Sequence, residues 1–156
     1  MVEPSQLEKY ANDPELARSN IASLFEALAA DESRQNYAVE SLENCGPPEI
    51  SQIPVLLKAL SGGDSLAVYW ASTLLGRVLS DGSVESAGLL QVELEQALCG
   101  SLTRSLDLSA HERILWAFGK ASSLQPTTRE VLERLRANTS PRMERLIESA
   151  LDIPVS

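Results

Sequence analysis

The sequence predicts an all-α fold, a solenoid of about four helical hairpins in a single domain over residues 1–156, and three observations predict it. Apolar residues recur three and four apart along nearly the whole chain, with short breaks at regular intervals. The apolar fraction is 44% while aromatics are only 4%, so the core must come mainly from Leu, Ala, Val and Ile, which suits packed helices. Four second helices align on the inward-facing residues Ala38, Ala71, Ile114 and Ile147, spaced 33, 43 and 33 apart. A repeat of that length is the signature of hairpins that bury their apolar faces only against their neighbours.

The hairpins are expected at about 14–45, 49–79, 85–123 and 127–153. In the first, Ile21, Leu24, Phe25 and Leu28 form one helix, Asp31-Glu32-Ser33 ends it, and Tyr37, Ala38 and Leu42 mark its partner. Residues 5–12 add a short N-terminal helix, since Pro14 can open the next one. The second hairpin is the clearest. Ile50, Ile53, Leu56, Leu57 and Leu60 lie on one face, a four-residue turn Ser61-Gly62-Gly63-Asp64 follows, and Asp64 or Ser65 caps a helix that turns Ala67, Trp70, Ala71, Leu74, Leu75 and Val78 inward. The long interval of 43 holds extra residues from Ser80 to Gly88, and residues 80–94 read either as a lengthened loop or as an extension of the next helix. Leu94, Leu98 and Leu102, then Ile114, Ala117, Phe118 and Ala121, outline the third hairpin. Val131, Leu132 and Leu135, then Met143, Leu146, Ile147, Ala150 and Leu151, outline the fourth, with Pro141 in the first turn of its second helix. Gly76 and Gly119 read as sites of close helix approach. Leu7, Tyr10 and Leu16 can cover one end of the stack, and Leu151, Ile153 and Val155 the other, leaving a monomer or a weak dimer through exposed ends.

Thirteen Lys and Arg against 22 Asp and Glu give a formal net charge of -9, a field that opposes nucleic acid and anionic membrane surfaces. Residues 1–100 carry 15 acids and 5 bases, residues 101–156 carry 7 and 8, so the acidic field lies over the first two-thirds and favours a basic partner. The beginning of the chain has no basic stretch followed by an apolar run, and no stretch of about eighteen apolar residues occurs, so a cytoplasmic location is the expectation. Cys45 and Cys99 belong to no metal-ligand spacing and read as reduced, partly buried thiols.

Little in the sequence announces catalysis. His111 is the single histidine and reads as a residue of a helix start. Gly62-Gly63-Asp64-Ser65 lacks the Lys-Ser/Thr of a phosphate loop and follows no strand, so a helix-helix turn explains it. The pairs Asp31-Glu32, Glu40 and Glu43, Glu93 and Glu95, and Glu130 and Glu133 read as solvated helix faces. Arg129, Arg134, Arg136, Arg142 and Arg145 alternate with Glu130, Glu133, Glu144 and Glu148 and read as ion-paired helix surface. No catalytic residue, cofactor or metal is assigned.

One face of the second helices stands out at 100° per residue. It carries Trp116 with Glu112 and Lys120 in the third hairpin, Tyr69, Thr73 and Arg77 in the second, and Asn36 and Glu40 in the first. Tyr, Trp and Arg are favoured anchors at interfaces.

The stretch Ile53-Pro54-Val55-Leu56-Leu57-Lys58-Ala59-Leu60, the turn with Asp64, and Ala67 to Leu75-Gly76 together resemble a HEAT repeat of the short bacterial kind, including the phycobilisome-lyase-type HEAT-like repeats. Ala117-Phe118-Gly119 matches the apolar-Gly ending of such a unit, and the resemblance extends over roughly residues 15–153. The family's Arg early in the second helix is replaced by Gln35, Val68, His111 and Glu144. What the resemblance implies is a right-handed α-α superhelix whose second helices line a concave side. That side would present Asn36, Glu40, Tyr69, Thr73, Arg77, Glu112, Trp116 and Lys120 to a partner. A non-catalytic adaptor gripping a protein or peptide is the expected function. A bilin-lyase-like, chromophore-handling enzyme or subunit is the alternative that the subtype permits, and a nucleic-acid-binding protein is disfavoured by the charge.

Overall fold

The computed structural model describes residues 2–82 and 88–156, and the fold is all-α, with ten α-helices among them. α1 (Pro4–Asn12), α2 (Pro14–Arg18), α3 (Ile21–Leu28) and α4 (Glu32–Asn44) form the N-terminal part, followed by a 3₁₀ turn at Ile50–Gln52. α5 (Ile53–Gly62) pairs with α6 (Ser65–Asp81), α7 (Gly88–Leu102) with α8 (Leu108–Phe118), and α9 (Pro126–Arg136) with α10 (Pro141–Leu151). Five of the eight prolines, Pro4, Pro14, Pro54, Pro126 and Pro141, stand in the first two positions of a helix, where a missing N–H breaks no bond and the fixed φ already suits the turn. Asp13, Asp64 and Ser140 cap α2, α6 and α10 by accepting the N–H of Leu16, Ala67 and Met143 at 3.2, 2.9 and 3.3 Å.

Packing follows chain order. α3 packs on α4, and α1 lies along α4. Beyond them α5 meets α7 and α7 meets α9, while α6 meets α8 and α8 meets α10. Ala38, Ala71, Ile114 and Ile147, the four aligned positions, are all fully buried. α6 is the most enclosed helix. Ten of its seventeen residues are buried, among them Trp70, Ala71, Ser72, Thr73, Leu74, Leu75 and Gly76, because α5 covers one side and α8 another.

Several local expectations change. Ile50 lies outside α5, on the 3₁₀ turn and exposed, because Pro54 sets the helix start. α5 runs on to Gly62, so only Gly63 and Asp64 separate it from α6. α6 reaches Asp81 and ends at Gly82, whose φ of +77° is the left-handed conformation that glycine tolerates best. α7 begins at Gly88, and the rest of the segment read as loop or helix, residues 83–87, lies outside the described residues. At the C-terminal end the main chain of residues 154–156 pairs with Leu124, whose N–H donates to the Pro154 carbonyl at 2.9 Å and whose carbonyl accepts from Ser156 at 2.8 Å. Val155 itself is exposed.

Arginines tie the helix ends together. Arg77 of α6 donates to the carbonyls of Leu42 and Glu43 at 2.6 and 3.2 Å, at the end of α4. Arg104, after α7, donates to those of Leu60 and Gly63, both at 2.6 Å, at the end of α5. Arg18 reaches the Pro47 carbonyl at 2.5 Å, and Arg129 of α9 the Ile153 carbonyl at 2.6 Å. At Leu42, Glu43 and Leu60 the accepting groups are among the last carbonyls of a helix, which have no intrahelical donor and carry partial negative charge, so a guanidinium satisfies both needs at once. Arg104→Met keeps the apolar stem and removes two charge-assisted hydrogen bonds. Each such bond contributes roughly 1.5–3 kcal/mol, so urea unfolding should show a loss of about 2 kcal/mol or more with little change in helical circular dichroism.

Candidate functional site

The groove between α6 and α8 collects most of the outward-facing residues. Trp116 of α8 lies against α6 at Gly76, where an added Cβ would collide with Cζ3 of the indole and stand 3.1 Å from Cε3 and Cη2. No other residue type leaves room for the ring at that point. Trp116 is therefore partly buried rather than projecting freely into solvent. One helical turn earlier, Arg113 inserts its guanidinium between Trp116 and Tyr69, its central carbon 4.6 and 4.7 Å from the two ring centroids. Its Nη2 donates to the Tyr69 hydroxyl at 2.6 Å. Tyr69 in turn meets the buried Trp70 edge to face, with centroids 5.4 Å apart. Lys120 places its ammonium 5.1 Å from the Trp116 ring. Cations over aromatic faces are attracted by the ring quadrupole, by about 0.5–2 kcal/mol depending on desolvation.

Two adjoining hollows share Arg113 and Trp116. The larger, about 550 Å³, is bounded by Gly46 and Pro47, by Thr73, Gly76, Arg77, Ser80 and Asp81 of α6, and by Arg113, Trp116 and Lys120. The smaller, about 260 Å³, adds Tyr69, Ser109, Glu112, Arg142 and Leu146 on the α10 side. Glu112 is neutralised there by Arg142, 2.9 Å away. Thus Tyr69, Thr73, Arg77, Glu112, Trp116 and Lys120 of the expected strip border one trough, whereas Asn36 and Glu40 stand exposed on α4 and line neither hollow.

The members play different parts from those their spacing suggests. The Arg77 guanidinium is engaged by the end of α4, and Thr73 Oγ1 donates to the Tyr69 carbonyl at 2.8 Å. Arg113 is the central residue that periodicity overlooked. Its position three before Trp116, on the same face, was the available signal, but its stacking partner Tyr69 is 44 residues away. Gly119, read as a packing glycine, has only the carbonyls of its own turn near it. His111 bonds the Arg104 carbonyl through Nε2 at 3.0 Å, which holds the start of α8 to the preceding loop. Glu95 is fully buried, accepting from Gln91 Nε2 at 3.0 Å and from the Gln125 N–H at the start of α9 at 2.9 Å; it is not the solvated partner of Glu93. Among the described residues no group of three or more His, Cys, Asp or Glu could hold a metal ion, and no helix is long and apolar enough to cross a membrane.

Cys45 closes α4 beside the larger hollow, and Cys99 faces Thr128. Burial raises both thiols above the ordinary thiol range, in Cys45 against the opposing pull of the nearby Arg77 charge and in Cys99 against the Thr128 hydrogen bond.

Two outcomes follow. Gly76→Ala should force the indole off α6; the overpacking cost, typically about 1–3 kcal/mol, outweighs the roughly 1 kcal/mol by which alanine favours helix over glycine. A lower urea midpoint and a shifted Trp116 emission would record it. Above about pH 8.5 the unfolded chain ionises its thiols while the folded chain keeps them protonated, so the unfolded state binds fewer protons and stability falls as pH rises. The alkaline drop in urea midpoint should be shallower in Cys45→Ala/Cys99→Ala, whose thiols are absent.

No protein-family model, curated protein or solved structure matches the chain, so the functional reading rests on the geometry of this groove.

Proposed function

We propose that the chain is a non-catalytic scaffold, a HEAT-like α-solenoid that holds a protein segment in the trough between α6 and α8. The observation that carries this reading is the Tyr69–Arg113–Trp116 stack. These three residue types dominate interface anchors: Tyr and Trp combine large contact area, few rotatable bonds and a polar tip, and Arg adds a planar fork of donors that stacks on their rings. Here they are pre-ordered by each other and by Gly76, so little side-chain entropy remains to be lost on binding. The solenoid part of the proposal is supported by helix contacts that run between successive hairpins, α5 to α7 to α9 and α6 to α8 to α10, the neighbour-to-neighbour pattern of stacked repeats. Handedness and a concave curvature are what the repeat resemblance adds.

Peptide display against the intact chain tests the function. Selected peptides should shift the indole N–H resonance of Trp116, and Tyr69→Ala/Trp116→Ala should weaken them about tenfold or more, the scale of losing an anchor residue. Peptides that bind the double variant undiminished would remove the trough from the account.

A further inference from the structure

The chemistry of the occupant can be taken further, given the scaffold reading on which this step depends. In place of the basic partner that the overall charge favours, we infer that the trough accepts an acidic, carboxylate-bearing peptide segment, because its local charge is opposite to that of the chain as a whole. The chain as a whole is acidic, with a net charge of -9, yet among the described residues the larger hollow is bounded by Arg77, Arg113 and Lys120 against the one carboxylate of Asp81. In the adjoining hollow Glu112 and Arg142 cancel. Arg77 is committed to the carbonyls of Leu42 and Glu43. Among the described residues Arg113 and Lys120 are not committed to any acid. Neither forms an ion pair among the described residues, and their contacts are the aromatic rings and the Tyr69 hydroxyl.

Both cations sit over the same indole, at 4.6 and 5.1 Å, inside the Debye length of about 8 Å at physiological salt, so their fields add at the Trp116 face. The stack also fixes the guanidinium plane. One donor is used on Tyr69, and the remaining N–H groups of a planar fork match a carboxylate. Lys120, on its flexible stem, supplies a second point charge. An extended segment carrying two carboxylates about three residues apart, with an apolar side chain between them for the Trp116 face, meets all three features. The acidic field over residues 1–100, with 15 acids and 5 bases, disfavours such a segment on most of the N-terminal two-thirds of the surface. A polynucleotide would need a continuous basic track, and the trough presents two cations that no described acid pairs.

Display selection on the intact chain, counter-selected on Arg113→Gln/Lys120→Glu, reads the charge of the occupant. The selected peptides should be rich in Asp and Glu. Their Gln and Asn counterparts should bind about tenfold more weakly, Lys120→Glu should weaken the acidic peptides by at least as much, and affinity should fall as salt rises. Circular dichroism confirms that the variants fold, and Lys120, being exposed, makes the milder test. Neutral or basic peptides that shift the Trp116 indole resonance would overturn the acidic assignment and leave the scaffold reading standing. So would a duplex oligonucleotide that displaces the acidic peptides and binds more tightly. Peptides that bind without moving that resonance, or no enriched peptide at all, would overturn both.

Discussion

The approach of α8 to α6 at Gly76 is the constraint on which the rest depends. A bare backbone at that position lets the Trp116 ring rest on α6. The ring then makes one wall of the slot that holds Arg113, and Tyr69, two turns before Gly76, makes the other. α6 can supply both the flat spot and the second wall because it is buried on nearly every side and its own buried residues, Ala71, Ser72, Thr73, Leu74, Leu75 and Val78, are small or branched. The polar trough is thus a by-product of how tightly two central helices pack.

Fold and site are coupled through Arg77. Its guanidinium closes the end of α4, and the same side chain borders the larger hollow together with Gly46 and Pro47 from the turn that follows α4. The floor of the trough and the junction between the first and second hairpins are therefore one structure. Apart from the trough, α3 and α5 leave a separate cleft of about 510 Å³ lined by Ala22, Phe25, Val55, Ala59 and Gly63, where small side chains leave a gap between the first helices of two successive hairpins.

Helical periodicity reveals which faces turn inward, since apolar burial is nearly a one-dimensional property of an amphipathic helix. Ala38, Ala71, Ile114 and Ile147 were legible for that reason, and so was Trp70. The ends of long polar side chains were not, because tertiary geometry decides them. Arg77 shares a face with Tyr69 and Thr73, yet its charge is spent on carbonyls 34 and 35 residues earlier. Glu95 follows Leu94 and precedes Leu98 by three, which places it beside the core stripe, but only the start of α9 explains why a carboxylate is accepted there. Arg113 was hidden by the same limitation, its role being set by an aromatic ring on another hairpin.

The arginine ties at the helix ends have a chemical property that ion pairs lack. Arg18, Arg77, Arg104 and Arg129 all donate to main-chain carbonyls, and neither partner in such a bond gains or loses a proton in the range where carboxylates titrate. Mild acidification toward the isoelectric point near pH 4.6 would reduce the self-repulsion of a chain whose net charge at neutral pH is -9, while these ties stay intact. These four arginine ties are in this sense proton-blind, unlike the carboxylate caps of Asp13 and Asp64 and the Glu95 contact to the start of α9.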